Sequence, residues 1–194
     1  MSGAHGHGAM EGENKKIALL IAVLALFLAI AETMAKSAQT SALSHNVEAS
    51  NLWAFFQAKT IRQTAVRTAA EALELERAQA ANPETAQAVA KQIETWIQTV
   101  ARWESEPGEA GKPGEGRKEL VVRAKAAEEK RDTATAKHHH YEISSAAFQI
   151  AIVLASATVI TGAMALMWIS VGLGAVGVIF AGIGFLAPHA VHLF

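Results

Sequence analysis

Few side chains in this sequence could do chemistry, and their spacing limits what that chemistry could be. Glu32 stands three residues after Ala29, at the end of the row Ala18, Ala22, Ala25 and Ala29, so a helix would put all five on one face. An ionisable residue ending an apolar face is a functional-site candidate, because a ring of such carboxylates, one per copy, could conduct ions or protons. Lys36, at i+4 in the favourable Glu-before-Lys order, offers the plainer role of an interfacial ion pair. His138, His139 and His140 are consecutive and point about 100° apart around a helix, so they cannot converge on one metal from one chain. Helical metal pairs use i,i+3 or i,i+4 spacing. The tract is a metal candidate only if other subunits or a partner helix add ligands, and it is expected instead to mark a polar boundary. His5 and His7, in a glycine-rich stretch, would bind metal weakly at most.

No other constellation suggests catalysis. The sequence has no phosphate-binding loop, dinucleotide fingerprint, His-Glu-x-x-His or nucleophile signature, and zero cysteines exclude disulfides, thiolate catalysis and Cys-based zinc sites. A non-enzymatic protein without metal or cofactor is expected. From Lys36 to Ile143 the 15 Lys and Arg balance 15 Asp and Glu, which argues against nucleic acid as a partner.

The elements that position these residues begin with apolar runs at both ends of the chain. Residues 17–35 form a first membrane-length segment of roughly 28 Å as helix, close to a hydrocarbon core of ~30 Å. Lys15-Lys16, the apolar core and Ala29-Ile30-Ala31 also resemble a cleavable signal, but the run continues directly into helix-favouring sequence, so an anchor is expected. Ser144 to Val191 contains no Lys, Arg, Asp or Glu and is long enough for two crossings, expected at 144–170 and 172–190. Ser170, Gly172 and Gly174 place the connection there, with Trp168 as an interfacial anchor. Each segment carries a row of small residues: the first has the alanines above, and the second has Ala147, Ala151, Ala155, Thr158, Gly162 and Ala165. The third has Gly174, Gly177, Ala181 and Gly184. Such rows let helix backbones approach closely, so a tight bundle and a homo-oligomer are expected.

Between the first two segments, residues 36–143 read as a charged helical insert, with residues 1–16 as a flexible His/Gly-rich tail. Residues 37–81 lack Gly and Pro and favour one long helix. Asn82-Pro83-Glu84 stops that helix and starts another over 84–105, with Asn as cap, Pro first and an acid in the first turn. Val89, Ile93, Trp96, Val100 and Trp103 give the second helix a heptad seam. Residues 107–116, with glycines at 108, 111, 114 and 116, read as a flexible loop. A final helix over 117–143 aligns Leu120, Ala124, Ala127, Ala134 and Tyr141. The outgoing helix would be about 68 Å long, and the two return helices about 33 Å and 40 Å, which suits a long antiparallel, coiled-coil-like hairpin. A compact three-helix bundle is the alternative.

Ser50 to Arg62 contains Trp53, Phe55, Phe56, Gln57, Ala58 and Lys59. This stretch resembles the tryptophan–aromatic–glutamine–alanine–lysine signature of a bacterial membrane-protein family catalogued as domain of unknown function number 4337. The His-rich N-terminus, the His138–His140 tract and Phe148 to Ile152 are similar to the same family. The glycine-rich loop departs from it, since a more charged and continuous helix would be expected there. The resemblance implies a three-pass architecture in the bacterial inner membrane and brings no activity.

The fold class expected is an all-α membrane protein, with three transmembrane helices and a helical hairpin inserted between the first and second. Its partners would be the lipid bilayer, further copies of itself and an unidentified protein, docked through a helical stalk. The rival expectation is an ion- or proton-conducting homo-oligomer using Glu32. Lys36, Lys130, Arg131 and Lys137 outnumber Lys15 and Lys16, which places the hairpin and C-terminus in the cytoplasm.

Overall fold

The computed structural model describes residues 5–109 and 111–190, with side chains from residue 14 onward. Among these residues there are four helices and no strand: α1 (His5–Gln79), α2 (Pro83–Glu104), α3 (Arg117–Thr161) and α4 (Met164–Leu186). No Gly or Pro interrupts α1 from Glu13 to its end, so nothing in the backbone stops it. Its start at His5 replaces much of the flexible tail expected over 1–16, because each added residue gains a hydrogen bond once a helix is nucleated. The side chains of His5 and His7 lie outside the described residues. Asn82 caps α2 by accepting from the Glu84 amide at 2.9 Å, and Pro83 opens the helix where no amide hydrogen is needed.

Helices α1, α3 and α4 each contain a stretch long and apolar enough to cross a membrane. The contacts divide the chain into two compact units, one of Met1–Leu43 with Arg131–Phe194 and one of Ser44–Lys130.

In the first unit, Leu24, Ala31, Phe148 and Ala151 form a core flanked by Leu20, Leu28, Ile152 and Leu173. The turn between α3 and α4 falls at Gly162-Ala163 and not at the expected 170–174. Gly162 adopts φ +70°, a left-handed conformation that glycine takes without strain, and so leaves the helical row assigned to it. Ser170, Gly172 and Gly174 stay helical. The small size of Ser170 and Gly174 serves packing, while Gly172 is exposed, and the Ser170 hydroxyl is satisfied by donating to the Ala151 carbonyl at 2.7 Å.

In the second unit, Ala49 and Leu52 of α1 pack on Leu120, Ala124 and Ala127 of α3, with Trp53 and Phe56 alongside. Farther along α1, Gln63 bonds to the Val100 carbonyl and Glu104 carboxylate of α2, at 3.3 and 3.2 Å. Beyond it a groove of about 410 Å³ opens between the two helices, lined by Val66, Ala70, Ile93, Trp96, Ile97 and Val100 among others. The aligned row of α3 is buried within each unit: Leu120, Ala124 and Ala127 in the second, Ala134 and Tyr141 in the first.

Candidate functional site

The most heavily bonded site in the second unit is built on the aromatic–lysine stretch of α1. Helical spacing brings Trp53, Phe56, Lys59 and Gln63 onto neighbouring turns of one side. Trp53 donates from its indole nitrogen to Glu128 at 2.9 Å and meets the Phe56 ring edge-on, with centroids 5.7 Å apart. Phe56 carries the Arg117 guanidinium over its face at 5.0 Å, and Phe55 carries the Lys59 ammonium at 5.1 Å. Lys59 is buried and reaches both ends of the 105–116 segment: it donates to the Glu115 carbonyl and lies 3.8 Å from the Glu106 carboxylate. Gln57, the remaining member of the stretch, is exposed.

Sequence reasoning missed the partners that complete this site. Arg117 joins Glu104 at 2.8 Å and the Gln63 side-chain carbonyl at 2.6 Å. Glu119, in the first turn of α3, accepts from the Ser105 hydroxyl at 2.7 Å and the Glu106 amide at 3.2 Å. These bonds, led by the Ser105 hydroxyl, hold the Glu119 carboxyl below the usual carboxylate range. Arg123 donates to the Gly114 carbonyl at 3.1 Å, and the Glu115 amide bonds to the Glu106 carbonyl at 3.2 Å. The segment expected to be a flexible loop is therefore tied down at both ends. Its glycines allow close approach: a β-carbon on Gly116 would collide with Glu119 and the Glu106 amide, and one on Gly108 with the Lys112 carbonyl. Gln63, four residues past Lys59, is the legible clue to the missed half.

The first unit holds a second cluster, where three successive histidines take three directions. His138 donates from Nδ1 to the Ala35 carbonyl of α1 at 3.1 Å. His140, fully buried, donates from Nε2 to the Pro188 carbonyl just past α4 at 3.0 Å. His139 faces Glu142 of its own helix at 3.6 Å, and Glu142 also lies 3.3 Å from His138. Thr133 and His189 Nε2 meet at 3.0 Å on the same side. Among the described residues, no three His, Asp or Glu side chains gather as a metal site would require. The tract fastens α3 to α1 and to the end of α4.

The rows of small residues divide sharply. On α3, Ala147, Ala151, Ala155 and Thr158 are buried; on α4, so are Gly174, Gly177 and Gly184, with Ala181 half-buried. A β-carbon on Gly174 would stand 2.8 Å from Leu24, one on Gly177 2.8 Å from Phe148, and one on Gly184 2.9 Å from Tyr141. Large side chains thus fill the spaces that glycines leave. Ser144 adds a hydroxyl bond to the Gly177 carbonyl at 2.8 Å. On α1 the row does not pack within the chain: Ala18, Ala22, Ala25 and Ala29 are exposed while Ile17, Leu24, Ala31, Ala35 and Ala38 are buried. The small residues that α1 does bury are Ala31, packed with Phe148, and Ala35 and Ala38, packed with Tyr141. Ala165 is likewise exposed. Glu32 forms no ion pair with Lys36 among the described residues. It accepts instead from the Gln149 amide of α3 at 3.1 Å, on an exposed surface.

An all-helical protein with three membrane-length helices and a bonded aromatic–lysine site is the class these residues define. The chain belongs to the family described as domain of unknown function (DUF4337), which matches residues 13–187 and so takes in the aromatic–lysine site and the histidine tract. No curated protein and no solved structure matches it.

Proposed function

We propose that this chain is a non-enzymatic, self-associating integral membrane protein of the bacterial inner membrane, anchored by three transmembrane helices. In this reading the second unit is a long antiparallel, coiled-coil-like stalk. The contacts supporting it pair rising numbers on α1 with falling numbers on its neighbours: Trp53 with Glu128, Lys59 with Glu115, and Gln63 with Glu104.

The observation that carries self-association is apolar surface outside the membrane-length stretches. Val47 is 51% exposed, Ile61 70%, Leu75 68%, Ile97 57% and Val122 69%, in a unit that also holds the groove between α1 and α2. Of these, Ile97 lines the groove, which offers a second helix an apolar concavity to fill. The test is native mass in detergent and in bilayers. A multiple of 20.5 kDa is expected, and a monomer at all accessible concentrations would remove the reading.

The stalk and C-terminus are assigned to the cytoplasm on the charge balance around the first segment, and Trp168, 68% exposed near the start of α4, suits the headgroup level at the opposite face. Labelling of Lys112→Cys by a membrane-impermeant reagent from the periplasmic side would reverse that assignment. Conduction through a Glu32 ring is the second reading, and one observation favours it: Glu32 is exposed, where neighbouring copies would bring carboxylates together.

A further inference from the structure

Within the first unit, Glu32 and Gln149 form an exposed polar pair, flanked on the same helix faces by exposed apolar side chains: Ala25 and Ala29 on α1, and Val153, 65% exposed, on α3. Glu32 lies one helical turn inward of Lys36, and Gln149 lies seven residues past Glu142, or about 10 Å along the helix. On the membrane reading above, this places a carboxyl and a carboxamide against lipid tails, which offer no hydrogen bond. Intramembrane ionisable groups normally face a bundle interior, a cavity or a partner. The bond from Gln149 Nε2 to Glu32 Oε1 satisfies only part of the pair, since the amide has a second N–H and a carbonyl, and the carboxyl a second oxygen.

We infer that a second copy of this chain covers this face of α1, and that the Glu32–Gln149 pairs of the two copies bond to each other. The inference rests on the self-association reading and locates its contact in the membrane. Complementarity identifies the occupant. The pair contains both the donor and the acceptor that it lacks, so an identical pair brought against it completes both. A lipid chain completes neither. The glycines of α4 are already filled by Leu24, Phe148 and Tyr141, whereas Ala22, Ala25 and Ala29, on the same side of α1 as Glu32, are exposed and small enough for a second helix to approach.

The chain has no cysteine, so single-cysteine variants of the full-length protein report directly on this contact in liposomes. Ala29→Cys should form a disulfide-linked dimer on mild oxidation, while Gly172→Cys, exposed on α4, should not. Adding Glu32→Leu and Gln149→Leu suits both positions to lipid and leaves the buried core untouched. It should shift the dilution midpoint for Ala29→Cys cross-linking by roughly tenfold. Cross-linking from Gly172→Cys but not Ala29→Cys, or a midpoint unmoved by the double leucine change, overturns the inference. So does cross-linking of Ala29→Cys to a different protein, and not to itself, when the same variant is oxidised in cell membranes. If the wild-type protein is an oligomer under those outcomes, self-association survives and only this contact is lost. If it is monomeric, both fail.

Discussion

The ring of Phe148 lies against the backbone of Gly177, with its Cε1 2.8 Å from where a β-carbon would stand. This contact joins α3 and α4 within one chain, so the first expectation concerns folding. Gly177→Ala should destabilise the first unit by about 1–3 kcal/mol through overpacking. Adding Phe148→Leu should restore part of the loss. Thermal unfolding in detergent reads both. A Gly177→Ala protein as stable as wild type would mean the helices can separate there at no cost.

Lys59 sits between the two ends of the 105–116 segment. Lys59→Met keeps the apolar stem but leaves the Glu115 carbonyl and Glu106 carboxylate without their cation, a loss of about 1–3 kcal/mol for a buried hydrogen-bonded charge. Limited proteolysis within 105–116 should accelerate several-fold, while cleavage elsewhere stays as in wild type.

Glu119 makes the same segment sensitive to acid. Its carboxyl is held below the usual range, so the folded state favours the ionised form. The stabilisation is present above the ordinary carboxylate pKa and is lost as pH falls through the lowered value. Protection of residues 105–119 against hydrogen exchange, taken relative to the intrinsic rate at each pH, should therefore fall as the solution is acidified below about pH 4. Glu119→Gln should exchange faster at neutral pH and show a flatter profile.

Glu32 separates the two functional readings. Because it bonds to Gln149 and not Lys36, Glu32→Gln should preserve a hydrogen bond and change unfolding by no more than about 1 kcal/mol. Liposomes carrying the assembled wild-type protein should show no cation or proton flux above protein-free vesicles. Flux that disappears in Glu32→Gln would establish the conducting ring.

Several parts of this arrangement are legible in the amino-acid sequence. Asn82-Pro83-Glu84 announces a helix start because each residue has a local job, and the buried row from Leu120 to Tyr141 follows from periodicity alone. Local ambiguity hides the rest. Glycine and serine at 170–174 look the same whether they break a helix or let another approach, and only the position of Ala151 and Leu24 decides between them. The glycines of 107–116 suggest freedom, although the Glu119 and Arg123 side chains that restrain them come later in the sequence. The alanine row of α1 is visible, but which neighbour it meets is a property of three helices together.

The two-residue turn at Gly162-Ala163 bears on biogenesis. Gly162 donates its amide to the Thr158 carbonyl at 2.9 Å, while Thr161 Oγ1 donates to Ala157 at 2.8 Å and accepts from the Ala163 amide at 3.3 Å. Its backbone needs are thus largely met from within, and no charge lies between Ser144 and His189. On the membrane reading, such a tip can be translocated with little dehydration penalty. So short a linker also denies either helix a separate route, so α3 and α4 would leave the insertion machinery as a preformed pair, in an order fixed before α1 is met.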